Sequence, residues 1–116
     1  MEHGKKHRKF GRTTKQRGAL LRALAVALVE KERIETTQAK AKSLKTYLEK
    51  LITRSRTAKL ANTRHLAADL NAKAAGKLMK EIGPRYQTRA GGYIRLHKLP
   101  RRTSDGAKMA IIELIK

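Results

Sequence analysis

Residues 33–53 read RIETTQAKAKSLKTYLEKLIT, and the two halves of this stretch obey different periods. Arg33, Ile34, Glu35, Thr36 and Thr37 form a short β-branched run, which predicts a brief strand. From Gln38 onward, Leu44, Leu48, Leu51 and Ile52 recur at helical spacing, while Lys40, Lys42, Lys45 and Lys50 fall largely on other faces. An amphipathic helix over 38–53 follows, and a threonine at the junction caps it.

Working outward, Leu21, Leu24, Ala25, Leu28 and Val29 follow i, i+3, i+4, i+7, i+8 and predict a helix over 15–31. Downstream, a third helix is expected over 58–70. A fourth spans 72–82, with Ala75, Leu78 and Ile82 facing inward. Gly83 reads as its left-handed C-cap and Pro84 as its stop. After Gly91 and Gly92 the period becomes two, with Tyr93, Arg95 and His97 on one face and Ile94 and Leu96 on the other. The run 109–115 is apolar except at Glu113, as expected of a strand covered on both faces. Between these strands lies a basic hairpin loop over 100–106, turned by Asp105 and Gly106. The expected fold class is α+β: two layers in the order α-β-α-α-α-β-β, with helices covering a small mixed three-stranded sheet. Residues 1–14 read as a basic arm and 15–116 as a single globular domain.

The chain has 116 residues, 29 of them Lys or Arg against 9 Asp or Glu, and a formal net charge of +20. That length supports one domain. Leu, Ile, Val and Phe together supply 24 residues, enough for a small core with Ala where helices approach closely. So large a surplus repels itself unless a polyanion is present, so the partner is nucleic acid or an anionic membrane. One Phe, three Tyr and no Trp leave the membrane reading without aromatic anchors. No apolar run approaches about 20 residues, so no membrane span is expected. Nor do the first residues resemble a secretory or transit leader. The absence of cysteine excludes disulfides, Cys-based zinc sites and a thiol nucleophile.

Nucleotide-binding and hydrolase motifs are missing, and the acids are scattered apart from Glu30, Glu32 and Glu35. His3 and His7 have i, i+4 spacing, but no deeper ligand set accompanies them. No catalytic residue, metal site, cofactor or small-molecule substrate is therefore expected. The cations are more informative. Lys5, Lys6, Arg8, Lys9, Arg12, Lys15 and Arg17 make an arm that orders on binding, with Glu2 its only acid. Arg85, Arg89, Arg95, Lys98, Arg101 and Arg102 follow one another without an acid before Asp105. Gly91 and Gly92 either form an ordinary turn before the strand or admit a phosphate to their N–H groups, with Tyr93 and Arg95 beside them to stack or fork. Aromatics are too few for a single-strand stacking platform, so phosphate contacts dominate and folded shape is read more than sequence.

The stretch 34–55, IETTQAKAKSLKTYLEKLITRS, and the stretch 88–96, TRAGGYIRL, resemble the signature of the ribosomal protein seventeen family of the bacterial large subunit. KFGRTTKQRGALLRAL and EIGPRY precede them in the family's order, and DGAKMAIIELI follows. The resemblance implies a non-catalytic protein bound to 23S rRNA in the cytoplasmic 50S subunit, near the polypeptide exit side. It also implies large-subunit proteins as neighbours and one copy per subunit, not a homo-oligomer. Carried over by position, Lys9, Arg12 and Arg17, the block Lys40, Ala41, Lys42, and Arg89 to Arg95 look like RNA-facing elements. Glu2 and Gln16 depart from the family pattern, which commonly has arginine and histidine there. The alternative is a free architectural nucleic-acid binder or RNA chaperone.

Overall fold

The computed structural model of the chain describes residues 14–56, 60–89 and 91–115. Helix α1 (Thr14–Lys31) leads into strand β1 (Arg33–Thr37), which passes without a loop into α2 (Gln38–Ser55). Two shorter helices follow, α3 (Leu60–Asp69) and α4 (Ala72–Lys77). The chain closes with β2 (Ile94–Leu99) and β3 (Met109–Leu114). The expected order is present. The start anticipated for the third helix falls at 57–59, outside the described residues.

The strand-to-helix switch at Thr37 has a local cause. Thr37 is extended (φ −71°, ψ 153°), and its hydroxyl accepts the Lys40 backbone N–H at 3.3 Å. One of the first-turn donors that α2 cannot satisfy internally is thus taken up. Asn71 plays the same part for α4, accepting from the Ala74 N–H at 2.7 Å.

The sheet has the order β1-β3-β2 and is antiparallel throughout, which corrects the expectation of a mixed sheet. β1 runs toward the base of the β2–β3 hairpin, where the Gln38 N–H reaches Lys108 O at 2.9 Å; β3 runs away from it. The last strand is central, and Ala110, Ile112 and Leu114 are buried on the helical side with Ile94 of β2. Its other face corrects the expectation of a strand covered on both faces: Ile111 and Glu113 are only half-buried there. An apolar run here reflects neighbours on both edges more than a layer on both faces.

The core gathers Leu28 and Val29 of α1, Leu44, Leu48 and Ile52 of α2, Leu66 of α3, and Leu78 and Ile82 beyond α4. Ala25, Ala41, Ala74 and Ala75 are buried between helices, where a small side chain permits close approach. Gly83 is not the left-handed cap expected. Its φ is −55°, and the helix continues past α4 through a π turn, Leu78–Ile82, into a final turn Gly83–Arg85. The Gly83 N–H bonds to Leu78 O, the wider spacing of a π turn, just before Pro84, which has no N–H. Glycine is required there because a Cβ would lie 2.4 Å from the backbone oxygen of Ser55. The left-handed cap lies instead at Glu32 (φ 64°), directly after α1, whose N–H returns to Leu28 O at 2.7 Å.

Candidate nucleic-acid interface

One end of the sheet is the hairpin end. Register places Lys98, Ala110 and Thr36 in one row, then Leu99, Met109 and Thr37, and beyond them Gln38 beside Lys108. Lys42 and Lys108 line a shallow cleft of about 310 Å³ with Thr37, Gln38 and Ala39 at the α2 N-terminus. Helix dipole and lysines therefore carry the same sign at one place. Lys40, Lys42, Lys98 and Lys108 have no carboxylate partner among the described residues. Lys108 was not singled out from the sequence; only strand pairing brings it beside Lys42.

The loop joining β2 and β3 is internally braced. Arg102 N–H donates to Ala107 O at 2.8 Å, Gly106 N–H returns to Arg102 O at 2.8 Å, and Ala107 N–H donates to Asp105 Oδ1 at 3.1 Å. Gly106 takes φ +70°, the turn conformation expected of it. Arg102 faces Asp105 at 3.4 Å and lays Nη2 against Met109 Sδ at 3.2 Å, while Arg101 Nη1 donates to Gly106 O at 3.1 Å. Both guanidiniums are exposed, yet each already holds the loop.

At the opposite end, Gly91 (φ 146°) and Gly92 (φ 66°) form the turn into β2. Arg89 folds over it, Nε donating to Gly91 O and Gly92 O at 3.1 Å each. Tyr93 corrects the sequence reading: it is fully buried and has no exposed face on which a base could stack. Its ring lies 5.0 Å from that of Tyr86. Lying before the strand's first residue, it turns toward α2 instead of sharing the face of Arg95 and His97. Those two are exposed, and His97 meets Glu113 at 2.6 Å, with Arg33 4.0 Å from the same carboxylate. The His97 contact, then the positive charges of Arg33 and Arg95, hold the Glu113 carboxyl below its ordinary range.

Arg85 is likewise placed differently from expectation. Its guanidinium grips Glu32 with both nitrogens, Nη1 to Oε1 at 2.5 Å and Nη2 to Oε2 at 3.3 Å. Lys77 Nζ joins at 3.2 Å and also reaches Glu30 O at 3.0 Å. The Arg85 contact, with help from Lys77, lowers the Glu32 carboxyl from 4.5 to about 2. The absence of acids between Arg85 and Asp105 in sequence concealed this partner, which lies 53 residues away.

Lys15 and Arg17 sit at the start of α1, where no acid offsets the helix dipole. Lys5, Lys6, Arg8, Lys9 and Arg12 lie outside the described residues. Among the described residues no group of three or more metal-ligating side chains comes together, and no helix is long and apolar enough to cross a membrane.

A family model described as "Ribosomal protein L17" matches residues 20–115. The chain is 50% identical over 116 residues to the large ribosomal subunit protein bL17 of Gemmatimonas aurantiaca, covering 99% of this chain and 98% of that one. It is 47% identical over 116 residues to the bL17 protein of Wolinella succinogenes, covering 99% and 100%. With that of Methylacidiphilum infernorum it shares 46% over 114 residues, covering 97% and 87%.

Proposed function

Because this chain belongs to the ribosomal protein L17 family, we propose that it grips folded 23S rRNA at two separated cationic surfaces and holds together the segments that meet there. It is a structural, non-enzymatic constituent of the large ribosomal subunit, and its place is the ribosome of the cytoplasm. One surface is the hairpin end, with Lys40, Lys42, Lys98, Lys108, Arg101 and Arg102. The other is the turn carrying Arg89, Gly91, Gly92 and Arg95. The basic arm, with Lys5, Lys6, Arg8, Lys9 and Arg12 in sequence ahead of Lys15 and Arg17, supplies a third set of cations for phosphate.

The observation that carries this reading is the uneven pairing of charge. Glu32, Asp69, Asp105 and Glu113 are each matched to cations within the fold, whereas Lys40, Lys42 and Lys108 around the α2 N-terminus meet no carboxylate among the described residues. An ordinary soluble surface intersperses the two signs. Neighbouring large-subunit proteins are the other partners, and the net charge of +20 opposes pairing with a second copy.

The test is cosedimentation together with a salt titration on 23S rRNA. The chain is expected to migrate with large subunits at moderate salt. If ten cations meet phosphates, log K falls with log salt at a slope of roughly −7 to −9. A chain that stays in the soluble pool at moderate salt rejects the ribosomal reading in favour of a free architectural binder.

A further inference from the structure

The turn at Gly91 and Gly92 is held by α2. Glu49, Thr53 and Arg56 follow i, i+4, i+7 and so share one face of that helix. All three converge on Tyr93. The Tyr93 backbone N–H donates to Glu49 Oε2 at 3.0 Å. Its hydroxyl lies 3.1 Å from Thr53 Oγ1 and accepts from Arg56 Nη1 at 3.1 Å. Arg56 Nη2 donates to Gln87 O at 3.0 Å, so the same guanidinium ties both sides of the turn. The Tyr93 hydroxyl also reaches Arg89 O at 3.4 Å.

From this convergence we infer that Glu49, Thr53 and Arg56 are positioning residues that preform the Arg89–Arg95 surface before RNA arrives. Glu49 is the informative member. A carboxylate beside a polyanion site repels phosphate, so on charge alone its removal tightens RNA binding. As the acceptor of the Tyr93 N–H, its removal loosens the turn and weakens binding. The two accounts predict opposite signs. The inference rests on the RNA reading above for its effect on affinity, but the rigidity of the turn is measurable in the free protein.

The experiment uses the full chain with Glu49→Ala, Glu49→Gln and Tyr93→Phe, reading amide hydrogen exchange at Tyr93 and affinity for 23S rRNA at fixed salt. Exchange at Ile112 in the core checks that each variant is folded. Glu49→Ala is expected to speed Tyr93 exchange and to weaken rRNA binding, each by about two- to tenfold. Glu49→Gln keeps an acceptor for the N–H while losing the charge, so it restores slow exchange and binds at least as tightly as the parent. Tyr93→Phe keeps the ring and loses the hydroxyl, and weakens binding in the same direction as Glu49→Ala. Tighter binding by Glu49→Ala with unchanged Tyr93 exchange overturns the inference. A parent chain with no affinity for 23S rRNA overturns the RNA reading instead, and the exchange comparison still decides whether α2 holds the turn.

Discussion

The basic residues named at the two ends of the sheet differ in whether an acid meets them. At the Glu32 end, Lys77 and Arg85 close on one carboxylate and Arg33 and His97 approach another. At the hairpin end, Lys40 and Lys42 on the first turns of α2, Lys108 beside them and Lys98 across the sheet on β2 meet no acid among the described residues. Sequence proximity does not separate the two groups. Arg85 and Lys98 belong to one uninterrupted basic run, yet Arg85 closes on a carboxylate and Lys98 meets none among the described residues. A count of charges therefore measures attraction to a polyanion only after the internal pairs are subtracted.

Substitutions can break this contrast at several depths. Leu48 is fully buried in the helix that spans both ends, so Leu48→Ala should cost about 2 to 5 kcal/mol in chemical denaturation and weaken both ends together. Gly83→Ala should destabilise by about 1 to 3 kcal/mol through its collision with Ser55 O, leaving the hairpin-end amides as protected in hydrogen exchange as before. Glu32→Gln should cost about 0.5 to 1 kcal/mol without changing the salt slope of rRNA binding.

Acid titration sharpens the same point. The folded Glu32 carboxyl is lowered from 4.5 to about 2, so its stabilisation is complete above about pH 4.5 and lost as pH falls toward 2. Glu32→Gln should remove that component from a denaturation-against-pH curve; an identical curve would show that the ion pairs contribute nothing. The smallest effect on stability is expected for the combined Lys40→Ala, Lys42→Ala, Lys108→Ala variant, within about 0.5 kcal/mol of the parent. Its salt slope should nevertheless become shallower by roughly 2 to 3. An unchanged slope would mean that the hairpin end does not meet phosphate.

Where local rules suffice, the reading from residues agrees with the fold. β1 and the threonine at the head of α2 occupy the expected positions, and Ala75, Leu78 and Ile82 face inward as their spacing requires. Gly83 shows where such rules stop. A glycine before a proline reads as a helix end, but this one is set by the approach of Ser55 from another helix, which no local pattern contains. Tyr93 shows the same for the interface. Alternation assigned it to the face of Arg95, whereas the hydroxyl and amide partners offered by α2 draw it inside.

Element order, the apolar faces of the helices and the need for a polyanionic partner are properties of period and composition, and both can be read along a line of residues. Which cations remain available, which way the strands run and what holds the glycine turn depend on groups far apart in sequence meeting at hydrogen-bonding distance. Hydrogen bonds and ion pairs act only over such short separations, and tertiary packing alone creates them.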